Sequence, residues 1–261
     1  MMSHQVLATE LLKLRRSKIT WMTWLVMSIM PLVGGLFMWI VMEPERAAQL
    51  GLIGQKAQLA GLTADWTSFF QLMLQIVGVG GMILAAVITA YVFGREYVEG
   101  TAGDMLTLPV SRHHFAVAKL IVVMFWFGLL TLWLIVESLV VCWYLKLPGY
   151  SAAMLWTSTG EILLTALVAW LLVPVVAFVS LVGRGYMAPI GFAIFAMIMG
   201  IIFGATGWGK WFPWSIVPLF AGIAGPRVEH LVPASIMVLL LTSVAGVAAV
   251  ILELRYADVR N

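Results

Sequence analysis

Long stretches without a charged residue constrain this chain more than any other feature of its sequence. The stretch from Ile19 to Met42 contains no charge, and neither does the stretch from Trp66 to Gly94. A helix needs about 20 predominantly apolar residues to cross the hydrocarbon core of a bilayer, and both stretches exceed that length. The sequence therefore predicts an all-α integral membrane protein.

Six predominantly apolar stretches predict six transmembrane helices in a single transmembrane domain covering residues 1–261. The predicted spans are residues 20–42, 68–93, 115–145, 162–182, 186–204 and 231–253. Only 10% of the residues are charged, against about 25% in a soluble domain. The remaining length leaves no room for a soluble domain of about 100 residues. We therefore expect no ATPase domain in this chain, so nucleotide hydrolysis would belong to another protein.

The basic residues predict the orientation of the chain in the membrane. If the N-terminus is cytoplasmic, ten of the 15 Lys and Arg residues face the cytoplasm and five face the exterior. The cytoplasmic ten are Lys13, Arg15, Arg16, Lys18, Arg95, Arg112, Lys119, Arg184, Arg255 and Arg260. This distribution satisfies the positive-inside rule and predicts a multi-pass cell-membrane protein with both termini in the cytoplasm. It also explains the basic balance without nucleic-acid binding.

The residues before the first span combine an apolar stripe with basic side chains. Leu7, Leu11 and Leu14 recur at helical spacing, and the charged residues that lie off this stripe are Glu10, Lys13 and Arg15. This pattern predicts an amphipathic helix at the membrane surface. A basic tail beside the first span is the alternative.

The polar segment from Phe93 to Lys119 separates the second and third spans and carries charges of both signs. Its ionisable residues are Arg95, Glu96, Glu99, Asp104, Arg112, His113, His114 and Lys119. Thr101 and Asp104 form a helix-starting pattern before Met105, Leu106 and Leu108; Pro109 ends that helix, and Ser111 can cap the next. A short cytoplasmic helix that docks a partner protein is one interpretation. A solvated connection that caps two membrane helices is the other.

Two glutamines and one glutamate are the candidate membrane-buried polar residues of the predicted spans. Gln71 and Gln75 share one helical face of the second span, where amides can form hydrogen bonds between helices. Glu137 lies deep in the third span. A carboxylate at that depth is costly and is a candidate ion-binding group. The alternative is a neutral or paired Glu137 that holds neighbouring helices together.

An aromatic segment broken by two prolines lies between the fifth and sixth spans. Its apolar part, Phe212 to Ile223, rises about 18 Å as a helix, well short of the ~30 Å hydrocarbon core. The sequence therefore predicts an exterior re-entrant hairpin. Its anchors are expected to be Trp208, Trp211 and Trp214, since tryptophan favours the headgroup region. The hairpin either gates a pathway or serves as an anchor.

No catalytic or metal motif is expected. Gly204 to Lys210 resembles the start of a phosphate-binding loop, but Trp211 replaces the Ser or Thr that holds magnesium. His113 and His114 are adjacent, so on a helix they point about 100° apart rather than at one metal ion. The sequence contains one cysteine and no nucleophile elbow. These features argue against an intramembrane enzyme.

Three segments together resemble the permease subunits of ABC-2 type exporters. They are ELLKLRRSK before the first span, FGREYVEGTAGDMLTLPVSRHHFAVAKL after the second, and WFPWSIVPLF before the last. The small six-span members of that family include bacitracin-resistance, lantibiotic-immunity and multidrug permeases. The residues that match the family pattern are Arg95, Glu96, Glu99, Gly100, Thr101, Leu108, Pro109, Ser111 and Arg112.

The resemblance implies a permease that pairs with itself or with a sister permease and binds two cytosolic ABC ATPase subunits. The N-terminal helix would be the family's elbow helix, and Thr101 to Leu108 its cytosolic coupling helix. ATP and Mg would be bound by the partner ATPase, with no cofactor in this chain. An apolar, tryptophan-rich chain suits export of an amphipathic or lipid-like substrate such as a drug, a peptide antibiotic or a lipid. An ion-coupled secondary transporter using Glu137 is the rival.

Overall fold

The protein is a bundle of helices in a computed structural model that describes residues 2–49, 51, 63–101, 112–224 and 232–256. These residues contain no strand. The α-helices are α1 (Met2–Arg15), α2 (Lys18–Met42), α3 (Pro44–Gln49), α4 (Trp66–Ile76), α5 (Met82–Val98), α6 (Arg112–Tyr144), α7 (Ala152–Leu171), α8 (Val173–Val182), α9 (Met187–Gly204), α10 (Pro213–Phe220) and α11 (Pro233–Tyr256).

Six helical segments among the described residues are long and apolar enough to cross a membrane. Four of them are single helices, and two are pairs of consecutive helices. Span 1 is α2, span 2 is α4 with α5, span 3 is α6, span 4 is α7 with α8, span 5 is α9 and span 6 is α11. This architecture confirms the prediction of an all-α membrane protein with six transmembrane helices. We call the end of the bundle that carries α1 the N-terminal end.

Several helices extend further than the predicted spans. Span 4 is the clearest case, because α7 begins at Ala152 rather than at 162. Ser151 starts this helix, since its hydroxyl oxygen accepts a hydrogen bond from the Met154 N–H at 3.1 Å. The predicted spans left residues 146–161 as a connection, and this prediction is wrong over most of that length. Glu161 lies within α7, whereas the predicted span excluded it because of its charge.

Two helices change course inside the membrane-spanning elements. Span 4 breaks at Leu172, where the sequence has Pro174 in the first turn of α8, a position that proline tolerates. Gly246 of span 6 fits this break, since a Cβ there would lie 2.8 Å from the Val175 backbone nitrogen. In span 2, a π-helical turn at Val77–Gly81 joins α4 to α5. No sequence pattern predicted this turn.

Glycines allow close contacts between helices. A Cβ on Gly34 would lie 2.6 Å from the Met73 side chain of span 2, and one on Gly35 would collide with Val141 of span 3. Gly34 and Gly35 therefore thin span 1 where it meets both neighbours. Gly78 of span 2 likewise approaches Ala221, with a hypothetical Cβ at 2.6 Å.

The segment between spans 5 and 6 leaves span 5 and comes back to it. A 3-10 turn at Gly209–Trp211 leads into α10, which packs against span 5 where Trp214 meets Gly200. Both ends of the segment lie against Gly204. A Cβ on Gly209 would lie 2.8 Å from the Gly204 Cα, and a Cβ on Gly204 would lie 2.6 Å from the Ala224 side chain. The stretch from Gly209 to Ala224 thus folds back on itself beside span 5.

Candidate functional site

A buried ion pair joins the second and third spans at the N-terminal end. The Lys119 ammonium donates to both carboxylate oxygens of Glu96, at 2.8 and 2.7 Å, and to the Val92 carbonyl. Glu96 is 5% exposed and Lys119 only 2%. Each charge would be costly to bury alone, so the pairing keeps both in place.

The N-terminal helix adds a second pair to the first. Lys13 Nζ lies 2.7 Å from Glu10 Oε1 and 3.5 Å from Glu96 Oε1, and Lys119 Nζ lies 3.7 Å from Glu10 Oε2. Glu10, Lys13, Glu96 and Lys119 therefore form one four-charge cluster with no net charge. It connects α1, the end of span 2 and the start of span 3.

The face of α1 that packs on the bundle includes the predicted leucine stripe but is wider: Leu14 is buried, and Leu7 and Leu11 are partly buried against the core. Among residues 5–15, whose burial is described, Val6 and Glu10 are also buried, and Val6 packs against Phe115 and Ala118 of span 3. The prediction that Glu10 lies off the buried stripe is wrong. Its carboxylate is buried in the interface because the ammonium groups of Lys13 and Lys119 lie beside it. Apolar periodicity does not reveal such a pairing.

Span 2 ends in a defined turn that directs the following segment. The Thr101 N–H donates to the Glu96 carbonyl at 2.9 Å and the Gly100 N–H to the Tyr97 carbonyl at 3.3 Å. Gly100 has φ +72°, the left-handed conformation that this helix ending requires and that glycine adopts without strain. The residue that begins this turn, Glu96, is therefore also the residue that the cluster holds in place.

The turn between spans 4 and 5 packs against the end of span 2. The Arg95 Nε lies 3.3 Å from Glu99 Oε2, and its guanidinium lies 5.9 Å from the centre of the Tyr91 ring. Tyr91 stacks on Tyr186, with ring centres 6.0 Å apart. A tight turn at Gly183 to Gly185 joins spans 4 and 5, and its last carbonyl lies against Gly94. These contacts hold the two turns against each other at the N-terminal end.

The predicted docking residues fall into three groups. Glu99, Gly100 and Thr101 are exposed at the end of span 2, with Arg95 half-buried beside them. Glu96 is buried, and both its oxygens are bound by Lys119, so it has no surface to offer a partner. The others lie outside the described residues or, for Arg112, have no described side chain: Asp104, Leu108, Pro109, Ser111 and Arg112.

The polar residues inside the spans have different surroundings. Gln71 donates to the Ala221 carbonyl at 3.4 Å, which ties span 2 to the segment after span 5. Gln75, one turn further along α4, is half-buried. Glu137 is also half-buried, and its Oε2 atom is buried without a hydrogen-bond partner among the described residues.

The predicted tryptophan anchors do not behave alike. Trp208 and Trp211 are exposed, whereas Trp214 is buried. The Trp214 ring meets Phe192 edge-on, with centres 5.4 Å apart, and its backbone lies against Gly200. As an interfacial anchor, Trp214 is therefore a wrong prediction: it holds α10 against span 5.

Comparison with known proteins decides what kind of membrane protein this is. Residues 6–200 match the model of the ABC-2 family transporter proteins. The chain belongs to the ABC-2 family. It is also 33% identical over 193 residues to the bacitracin transport permease protein BCRB of Bacillus licheniformis, covering 74% of this chain and 92% of that protein. This ABC-2 protein is thus a multi-pass permease subunit of an ABC transporter, a family that works with an ABC ATPase partner.

The sequence analysis missed the four-charge cluster of this ABC-2 permease. Lys119 stood out as a charge at the entrance of an apolar run, and an ionisable residue in such a place normally has a partner. That rule could have predicted a carboxylate near Lys119, but no such prediction was made. The rule did not identify Glu96 or Glu10, because the partner depends on how α1 packs against span 3.

Proposed function

We propose that this chain is the membrane-spanning subunit of an ATP-driven exporter that moves an amphipathic or lipid-like substrate out of the cell. Two cytosolic ATPase subunits serve a pair of such permeases, formed by two copies or by this chain and a sister. The termini and the N-terminal end of the bundle face the cytoplasm. The segment between spans 5 and 6 forms an exterior hairpin, and α1 is the elbow helix.

The four-charge cluster is the observation that supports this proposal best. The central segment, residues 99–111, leaves span 2 just after Glu96 and leads into span 3 just before Lys119. Because these two residues bind each other and α1, a force on the central segment reaches both spans and α1 together. A rigid base of this kind is what an ATPase needs in order to move a permease. The relative BCRB, whose name describes bacitracin transport, supports a peptide-antibiotic substrate.

Transport into sealed vesicles tests the function and its direction. The permease is reconstituted with its co-purified ATPase, ATP is added outside, and bacitracin and a fluorescent short-chain phospholipid serve as separate probes. Only complexes with the ATPase outside then work, so export appears as uptake of a probe into the vesicle lumen. We expect uptake with ATP and none with ADP. Uptake that needs no ATP would contradict the proposal.

An ion-coupled carrier is the second candidate function. The observation that favours it is the buried Oε2 atom of Glu137, which lacks a hydrogen-bond partner among the described residues. In the exporter, Glu137→Gln retains ATP-driven uptake, since the amide keeps the size and much of the hydrogen bonding of the acid. In the ion-coupled carrier, an imposed proton gradient drives uptake without ATP, and Glu137→Gln abolishes it. The same vesicles distinguish these outcomes.

A further inference from the structure

A cavity of about 490 Å³ lies at the end of the bundle opposite α1. Its walls come from the start of span 2, the end of span 3 and the short connection into span 4. Among the described residues, the cavity is lined by Trp66, Cys142, Trp143, Lys146, Leu147 and Tyr150. None of these described residues is acidic and Lys146 is the cation among them, so they combine apolar and aromatic walls with a positive charge.

The floor of this cavity is rigid and its rim is exposed. Trp66, Cys142 and Leu147 are buried, and the Trp66 indole N–H donates to the Leu147 carbonyl at 2.9 Å. The Trp66 backbone N–H donates to the Pro148 carbonyl at 3.1 Å, which fixes the connection against span 2. At the rim, Trp143 is 82% exposed and Tyr150 61% exposed. The site therefore exists before a ligand arrives.

The lysine at this cavity occupies a position that favours glycine. Span 3 ends with the Leu147 N–H bound to the Cys142 carbonyl at 3.1 Å and the Lys146 N–H bound to the Trp143 carbonyl at 3.2 Å. A helix ending with these two bonds places one residue in the left-handed conformation. That residue is Lys146, with φ +52°. A lysine is strained there, and such outliers gather at functional sites. Nothing in the helix ending requires its side chain.

The Lys146 ammonium is available to a ligand. It is exposed, and no carboxylate in the described part of the chain pairs with it. Asp65, next to Trp66 in the chain, directs its carboxylate at the start of its own helix. There Oδ1 accepts from the Ser68 N–H at 2.7 Å and Oδ2 from the Thr63 hydroxyl at 2.6 Å. The cavity therefore keeps its positive charge.

The surroundings place this cavity at the depth of lipid headgroups. Exposed aromatic side chains cluster at this end of spans 3 and 4: Trp143, Tyr144, Tyr150 and Trp156. Tryptophan and tyrosine collect where hydrocarbon meets headgroups. A ligand that reaches the cavity from the bilayer thus presents its head to Lys146 and its chains to the apolar floor.

We propose that this cavity binds a membrane lipid with an anionic headgroup, held by Lys146 and seated against Trp66, Trp143 and Tyr150. A free anion such as phosphate does not use the apolar floor, and a zwitterionic lipid brings its own cation beside the lysine. The site is therefore selective for an anionic phospholipid. This selectivity does not depend on an ATPase, so it stands or falls independently of the proposed transport function.

Lipid retention by the purified full-length chain tests this proposal. Native mass spectrometry in detergent counts bound dioleoylphosphatidylglycerol and dioleoylphosphatidylcholine during parallel titrations. The wild-type chain binds the anionic lipid more tightly, and Lys146→Gly weakens that binding about tenfold or more, as expected for one charge-assisted hydrogen bond. Lys146→Arg retains the binding. Lys210→Gln, which removes an exposed cation from another loop, leaves it unchanged.

If the Lys146 side chain instead stabilised the fold, Lys146→Gly would lower the melting temperature. The lipid-binding proposal predicts the opposite. Glycine relieves the strain at φ +52°, so Lys146→Gly raises the melting temperature by about 2–4 °C while it weakens lipid binding. Equal retention of the two lipids by the wild type, or unchanged binding in Lys146→Gly, would overturn the proposal. Displacement of the anionic lipid by inorganic phosphate at millimolar concentration would also overturn it, since the site would then recognise a free anion.

Discussion

At the scale of single residues, burial decides how much an ion pair contributes to stability. Lys119→Met leaves Glu10 and Glu96 facing a single ammonium group, and breaking a buried pair in this way costs about 3–5 kcal/mol. Arg46→Met removes the partner of Glu43, at 2.8 Å, but this pair is exposed and contributes only about 0–1 kcal/mol. Thermal unfolding of both variants in detergent measures the difference.

The double variant Lys119→Met with Glu96→Gln serves as the control for this comparison. It removes one charge of each sign, so the cluster again has no unpaired charge and part of the lost stability returns. An additive loss in the double variant would contradict a directly paired cluster. So would a loss in Lys119→Met no larger than that in Arg46→Met.

Sequence patterns identified charged residues near the site but not their roles. Glu96 was predicted to help dock a partner, whereas it is buried beneath the surface that Glu99 and Thr101 form. Hydropathy places such a residue at a helix end within one or two turns. Whether it faces solvent or a lysine on another helix depends on tertiary packing, which no local pattern encodes.

At the scale of helices, two glycines of span 5 make a matched pair. A Cβ on Gly200 would collide with the Trp214 carbonyl, whereas one on Gly191 would meet nothing within 4 Å. Gly200→Ala therefore pushes α10 away and costs about 1–3 kcal/mol. Gly191→Ala leaves stability unchanged or raises it slightly, because alanine favours helix. Melting temperatures that fall equally for both would contradict the packing of α10 on span 5.

The topology of the segment between spans 5 and 6 is tested by thiol labelling. In a variant with Cys142→Ser, single cysteines replace Gly207 and Gly225; Gly207 is suitable because its position is open, whereas Gly209 abuts Gly204. An exterior hairpin makes both cysteines react with an impermeant thiol reagent in intact cells. If one reacts only after the cytoplasmic face is opened, the segment crosses the membrane and the proposed orientation of the tail is wrong.

Helices were easier to predict than their ends or their irregularities. Predominantly apolar stretches identified all six spans because the cost of burying a charge in lipid is large. The start of span 4 was wrong because the prediction excluded Glu161, whereas the helix begins at Ala152 and continues through it. The π-helical turn at Val77–Gly81 has no sequence signal beyond its glycines, which suit several structures.

At the scale of the whole molecule, the resemblance to ABC-2 permeases predicted the family that the comparisons then showed. The short cytosolic helix after Thr101 stays a prediction, since residues 102–111 lie outside the described part of the chain. The structure instead supplies the base of that segment: a fixed helix ending at Gly100 and a buried cluster beneath it. The account therefore depends on whether an ATPase binds there.

Co-purification with the ATPase tests this central claim most directly. The tagged permease is purified from membranes of its own host, and mass spectrometry quantifies ABC ATPase per permease in the wild type and in Glu99→Lys with Asp104→Lys. Glu45→Lys, an exposed charge reversal in α3 at the opposite end of the bundle, is the control. We predict one ATPase per permease in the wild type and the control, and loss of the ATPase from a folded double variant, because like charges across an interface repel. Full retention of the ATPase by the double variant, with undiminished ATP turnover, would contradict the account.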